Sequence, residues 1–407
     1  MAHTSKRMLE GYRVLDFTQV LAGPTTTRYL AEMGAEVVKV EFAPNGDISR
    51  GVPYIRNGRS AYYVQQNLGK KSLCVDLKNP KAAEIIRDLI RKVDVIVENY
   101  APGVIGRLGF GYEAARALHP KVIMCSISTF GQNGPLANRP GYDFIGCAYS
   151  GVLSMIGERD GAPSLPAVGV GDITTGVHAV SGIVTALLHR ERTGEGQYLE
   201  TSLLDCYFSY HDMPVHTASL SGGAILPRRN GAHHFAVAPL GIFNGKRHPI
   251  LIMAGTEHQF PYLCRAMGKP ELADDPRFRT NSARMEHVEE LKALIQNWFD
   301  AMPSDEAVYR CFEECRVPFA EVLSTEEAMA HPHLREREAV RTVSDRFLGE
   351  FEVPGFPLRF SAYGRHRTTT APTLGEHNAA VLREYLGYSP ERISALEREG
   401  VLCRGER

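Results

Sequence analysis

Residues 13–41 read RVLDFTQVLAGPTTTRYLAEMGAEVVKVE, and their periodicity decides the fold class. Residues 13–17 (RVLDF) are a short apolar run of strand character. Residues 24–34 (PTTTRYLAEMG) follow as a helix that Gly34 can end, since glycine takes the left-handed stop without a Cβ penalty. Residues 36–41 (EVVKVE) form the next strand. The alternation continues with strand-like runs at 72–77 (SLCVDL), 94–99 (DVIVEN) and 121–128 (KVIMCSIS). Residues 79–93 form an amphipathic helix, with Asn79 as N-cap and Pro80 at its first position. Strands and helices alternating at this spacing predict an α/β fold with a parallel sheet and helices on both faces.

Such a fold invites a dinucleotide reading, and Glu41 ends the second strand where a ribose-binding acid would sit. The first turn, however, is DFTQVLAGPTTT and contains no GxGxxG. The glycines that admit a pyrophosphate are missing. A Rossmann-like architecture is expected, and NAD binding is not.

The chain has 407 residues, formal net charge -1 and 43% hydrophobic residues. This balance gives no basic footprint for nucleic acid. No apolar run approaches the roughly 18 residues that span a bilayer, and the basic N-terminus lacks a signal-peptide apolar region. A cytoplasmic location is expected. Eight scattered cysteines without CxxC read as reduced thiols, mostly in the core. Cys311 and Cys315 have no clustered histidines, so no metal site is expected.

Residues 166–197 (PAVGVGDITTGVHAVSGIVTALLHRERTGEGQ) pose the functional question. Ile173, Val177, Val180, Val184, Leu187 and Leu188 follow helical spacing. Asp172 stands where a strand would meet that helix, directly after Gly171. Locally it reads as a helix cap. It also reads as a nucleophile at the end of a strand, where α/β folds bind ligands, with Gly171 admitting a substrate. His233 and His234 are further candidates in a polar loop. No G-x-S-x-G elbow accompanies them, so a Ser-His-Asp hydrolase is not indicated. Residues 217–250 are rich in Gly, Pro and basic residues and read as a linker. Asn244-Gly245 marks a hairpin turn beyond it, and helical patterns run from about 257 to 315.

Several stretches together resemble the class III coenzyme A transferases, the CaiB/BaiF group that includes formyl-CoA transferase. They are LDFTQVLAGPTTTRYLAEMGAEVVKVE, KKSLCVDLKNPKA, DVIVENYAPGVIGRLGFGY, GVGDITTGVHAVSGIVTALLHRERTGEGQ and PTLGEHNAAVL, in that order along nearly the whole chain. The resemblance implies a large Rossmann-like CoA-binding domain formed by both chain ends (1–215 and 325–407). It implies a linker and smaller α+β domain at 216–324, and a ring-shaped subunit threaded through a second copy as an interlocked homodimer.

The same resemblance implies the chemistry. Asp172 attacks the thioester of a donor acyl-CoA, giving a mixed anhydride and then an aspartyl-CoA thioester, which an acceptor acid reverses. No bound cofactor is required beyond CoA as substrate. CoA is expected along Ala22, Val75, Lys78, Asn99, Tyr100, Val104 and Arg107, the arginine suiting phosphate. Leu21 replaces a glutamine of formyl-CoA transferase, Val52 replaces a tryptophan, and the glycine-rich covering loop has no counterpart. The expected acceptor is therefore not oxalate. Arg228, Arg229, His233 and His234 are candidates to face an acceptor such as succinate, mesaconate or glutarate, with succinyl-CoA as a natural donor. The α-methylacyl-CoA racemases of the same superfamily use a His-Asp pair. Here Tyr142 precedes Asp143, and tyrosine makes a poor near-neutral base. Racemase is the alternative reading, and a non-enzymatic nucleotide-binding module the third.

Overall fold

The computed structural model describes residues 7–365 and 369–405. The chain separates into two compact units. One holds the described parts of Met1–Ser150, Ala167–Tyr210 and Pro332–Arg407, and the other holds Gly151–Pro166 and His211–His331. Residues 151–166, which the sequence reading leaves with the first domain, thus group with the second unit.

The first unit is built on six strands: β1 (Arg13–Asp16), β2 (Glu36–Phe42), β3 (Lys70–Val75), β4 (Val95–Glu98), β5 (Ile123–Ser128) and β6 (Tyr198–Ser202). Their order is β3-β2-β1-β4-β5-β6. Every neighbouring pair is parallel, as the alternating pattern predicts. The order reverses between β1 and β4. Beyond the carboxyl ends of those two strands lies the crevice where open α/β sheets bind ligands.

Strand side chains alternate between two cores. Leu15, Val38 and Ile96 face one, with Ile85, Ile86 and Leu89 of α2 (Pro80–Ile90). The C-terminal helices Asn378–Leu386 and Pro390–Arg398 add Val381, Leu382 and Leu396 to the same face. Asn79 caps α2 as expected, its side-chain oxygen accepting from Lys81 N at 3.1 Å. Val14, Val37 and Val95 face the other core, against Leu30 and Ala31 of α1 (Ala22–Glu32). Helix α1 begins two residues before the expected Pro24. Proline is tolerated there because a first-turn N–H needs no helical partner.

Two short helices frame the longest one: α3 (Asp143–Tyr149), α4 (Val170–Thr193) and α5 (Leu203–Phe208). Helix α4 corrects two expectations. No strand leads into it, because residues 158–168 are irregular and include Pro163 and Pro166, which cannot donate to a ladder. It is also long and apolar enough to cross a membrane by length and composition, with a mean hydropathy of 1.2 over 18 residues. Uncharged Gly, Ser, Thr and His positions hide this from a search for an unbroken apolar run. Its Ala179, Ile183, Ala186 and Leu187 are buried in the second core, which accounts for the apolar composition of that face.

The second unit carries a three-stranded antiparallel sheet of Leu240–Asn244, Pro249–Met253 and Phe319–Glu321. Phe243, Ile250, Ile252, Leu263, Phe299 and Phe312 fill its core. The expected hairpin is present, but residues 245–248 connect it rather than a two-residue turn. Asp305 accepts from Lys246 N (2.5 Å), Arg247 N (2.8 Å) and His248 N (3.1 Å), replacing the missing backbone bonds. All eight cysteines are unpaired, and five of them are buried.

Candidate active site

The turn that leaves β1 is the structural substitute for a glycine-rich loop. Val20 stands in the left-handed region, at φ 68°. For a β-branched residue this is strained. The turn brings Gln19, Leu21 and Ala22 to the switch point. From β4, Asn99 reaches across, its oxygen accepting from Gln19 N (2.8 Å) and its amide donating to Gln19 O (2.9 Å). These two bonds join the strand ends, and Asn99 also lines the cavity that opens there.

A cavity of about 240 Å³ opens at this junction. Leu21, Ala22, Tyr100, Ser128, Tyr142 and Asp172 are among its lining residues. A second cavity of about 240 Å³ shares Asn99, Tyr100, Ser128 and Tyr142 with it and extends to Arg139.

Asp172 occupies the third position of α4, after Gly169 as N-cap. It is not a cap, since no side-chain bond caps that helix. Its carboxylate hydrogen-bonds to no described residue. Its pKa is pushed up to about 7, chiefly by burial and then by the charge of Asp143. An acid in the first helical turn would otherwise be favoured as the anion, so burial and Asp143 outweigh the helix terminus.

Gly171 is buried and closely packed. A Cβ there would lie 2.1 Å from the Tyr207 ring and 2.4 Å from Asp143 Oδ1. The side of Gly171 where a Cβ would stand is therefore packed against protein. The Tyr207 hydroxyl, on α5, donates to Asp143 Oδ1 (2.5 Å) and accepts from Gly171 N (3.0 Å). Asp143 Oδ2 is buried without a partner among the described residues.

The remaining expected residues are distributed as follows. Val75 is fully buried, its carbonyl accepting from Ala43 N at 3.0 Å, so it offers no free side chain. Lys78 is exposed just past β3. Val104 and Arg107 lie on the short helix Val104–Arg107, and Arg107 is exposed with no ion pair to a described residue. Val52 is half-buried and does not line the cavity, whereas Ile48, four residues earlier, does. His233 and His234 belong to the second unit. His233 packs edge-on against Phe243 at 5.0 Å, His234 Nδ1 accepts from Ala236 N at 3.1 Å, and burial lowers both pKa values. Arg229 is engaged by the carbonyls of Glu158 (3.0 Å) and Gly161 (3.1 Å) in its own unit.

Sequence reasoning missed Tyr62 and Tyr207. Burial raises the Tyr62 pKa, and the charge of Asp172 is the next largest cause. Neither tyrosine stands in a motif that could have announced it. Glu41 is settled as structural: it accepts from Arg50 Nε (2.8 Å) and Ser72 Oγ (2.6 Å) and cannot serve a ribose.

A carboxylate with no hydrogen-bond partner among the described residues thus lies in a cavity at the switch point of an open parallel sheet, where α/β folds bind ligands. Residues 9–378 match the model of CoA-transferase family III, and the chain belongs to that family. It is a class III CoA transferase, acting on CoA thioesters and carboxylic acids. The mouse protein named succinyl-CoA:glutarate CoA-transferase is 35% identical over 405 residues, covering 99% of this chain and 92% of its own. Formyl-CoA:oxalate CoA-transferase of Streptomyces avermitilis is 34% identical over 411 residues, covering 97% of this chain and 100% of its own. A crystal structure of a CaiB/BaiF family protein from Brucella suis is 32% identical, with TM-score 0.80, covering 94% of this chain and 100% of that one.

Proposed function

We propose that this CoA transferase moves CoA from succinyl-CoA to a free dicarboxylic acid, glutarate first among them, through covalent intermediates on Asp172. The observation that carries the reading is the carboxylate of Asp172, which hydrogen-bonds to no described residue and lines the switch-point cavity. The near-equal identity to a glutarate and to an oxalate transferase does not choose the acceptor. Leu21 in the cavity wall does favour the longer acid, because it presents a branched apolar end rather than an amide to the acid's methylenes.

The Asp172 carboxylate attacks the donor thioester carbon. The C–S bond breaks, a mixed anhydride forms and CoA leaves as thiolate. The thiolate attacks the Asp172 carbonyl, releasing succinate and leaving an aspartyl-CoA thioester. The acceptor carboxylate attacks that thioester, again expelling the thiolate. The thiolate then takes the acceptor acyl group and restores Asp172. A carboxylate made more basic by burial is a better nucleophile, and each step keeps the energy of an activated acyl group. CoA would run from Ala22 past Tyr100 towards Val104 and Arg107, with the guanidinium on phosphate and Lys78 near the nucleotide. Val75 and Asn99 would act through backbone placement. Val52, His233 and His234 remain candidates for the acceptor side.

The interlocked homodimer of ring-shaped subunits, with the domain division at 215/216 and 324/325, belongs to the same reading. It is supported by an apolar stripe that α4 leaves exposed: Ile173 (38%), Val177 (40%), Val184 (37%) and Leu188 (50%). Contiguous stripes of this kind mark protein contacts. The eight unpaired cysteines suit a reducing, cytoplasmic setting.

The test is incubation with succinyl-CoA and a panel of acids, with hydroxylamine trapping and mass spectrometry. A modification on Asp172 with a new acyl-CoA supports the reading. Transfer that proceeds with no adduct on Asp172 would count against the covalent route.

A further inference from the structure

Beneath the strained turn after β1 lies a group of buried charges that the transfer chemistry does not use. Lys39 and Asp47 are fully buried and paired at 2.8 Å. Asp16 and Lys70 are equally buried and paired at 3.0 Å. Burial alone would push the Asp47 carboxyl up, but the Lys39 ammonium and the N–H of Ser49 hold it below the usual range.

These groups grip the turn residue by residue. Asp16 Oδ1 accepts from Thr18 N (2.8 Å) and Thr18 Oγ1 (2.5 Å). Lys39 Nζ donates to Thr18 O (2.6 Å). Asp47 Oδ1 accepts from Val20 N (3.2 Å) and from Ser49 N (2.8 Å). Val20 precedes Leu21 and Ala22 in one wall of the cavity, and Asp47 caps the turn Ile48–Gly51 whose Ile48 forms another. One carboxylate oxygen therefore orients two walls of the cavity that Asp172 lines.

A left-handed valine relaxes unless its surroundings hold it. A buried ion pair adds little net stability compared with apolar residues of the same size. The pair's contribution here is thus geometric. We propose that Asp47, clamped by Lys39, is a positioning residue for CoA transfer. It holds Val20 in its left-handed conformation so that Leu21 and Ala22 meet the thioester opposite Asp172. This rests on the reading of Asp172 as the covalent residue.

The experiment compares Asp47→Asn with the paired replacement Lys39→Met/Asp47→Leu, each alone and combined with Val20→Gly. The paired replacement leaves no orphan charge, so it keeps the test open if Asp47→Asn fails to fold. The expected result is kcat lowered about tenfold or more with KM for acyl-CoA little changed, since a misplaced wall costs orientation rather than binding. Val20→Gly should recover severalfold of the loss, because glycine takes the left-handed conformation without help. Unchanged kcat in a folded variant, or a loss that Val20→Gly does not recover, overturns the proposal. Hydrogen exchange over residues 17–23 reads the clamp without turnover. Faster exchange there in both replacements supports it, and unchanged exchange overturns it. Absence of transfer by the unmodified protein would count against the transferase reading alone.

Discussion

The Tyr207 hydroxyl lies 2.5 Å from Asp143 Oδ1 and 3.0 Å from Gly171 N, so one phenol ties a buried carboxylate to the residue beside Asp172. Tyr207→Phe removes both bonds and leaves Asp143 without a donor. The expected cost is about 1–3 kcal/mol of stability, read by urea denaturation. A fall in kcat should accompany it as the first turn of α4 loosens. Unchanged stability would mean that another donor reaches Asp143.

Asp172→Ala should lower CoA transfer by about a thousandfold or more while CoA binding persists. Rate assays beside calorimetric titration with CoA separate the two. Transfer within tenfold of the unmodified rate would remove Asp172 from the mechanism.

The pH dependence follows from the raised pKa. Asp172 must be anionic to attack, and it ionises near pH 7 rather than near 4. kcat/KM for acyl-CoA should therefore rise through about pH 7 and level off above it. A flat profile from pH 5.5 to 8 would contradict this.

The same shift has a stability consequence of defined sign. Below about pH 3 the group is protonated in folded and unfolded chains alike. As pH rises from about 4 to 7 the unfolded chain ionises first, and stability is lost until the folded group ionises too. Asp172→Asn escapes this loss. Its melting temperature should exceed the unmodified value by about 1–3 °C at pH 8 and match it at about pH 3. An equal difference at both pH values would assign the effect to packing.

Gly171→Ala should be disruptive although the change is one methyl group. The new Cβ meets a tyrosine ring at 2.1 Å, and a ring cannot swing aside as a flexible chain end can. A loss of about 1–3 kcal/mol is expected, with impaired transfer. Glu substitutions at Val184 and Leu188 test the exposed stripe of α4. On the proposed homodimer, sedimentation should show a shift from dimer towards monomer, and an unchanged mass would remove that stripe from the interface.

Much of the architecture was legible locally. The strand and helix periods of residues 13–41, the cap and proline at Asn79-Pro80 and the missing GxGxxG follow from side-chain spacing and backbone preference, which neighbours in sequence carry. The order β3-β2-β1-β4-β5-β6 does not, because parallel pairing joins segments far apart in the chain. That order is what brings Leu21, Tyr100, Ser128 and Asp172 to one cavity. Asp172 shows the division most clearly. Its place at the start of a helix was readable, and the local pattern favoured a cap over a nucleophile. Tertiary packing leaves the carboxylate without a hydrogen-bond partner among the described residues, half-buried near Asp143, which argues against a cap and supports the proposed nucleophile. Glu41 went the other way. It stood where a ribose ligand would, and Arg50 and Ser72 took up its oxygens. A side chain's chemistry is written in the sequence, whereas the partners that free or consume it come from other strands and helices once the sheet has closed around them.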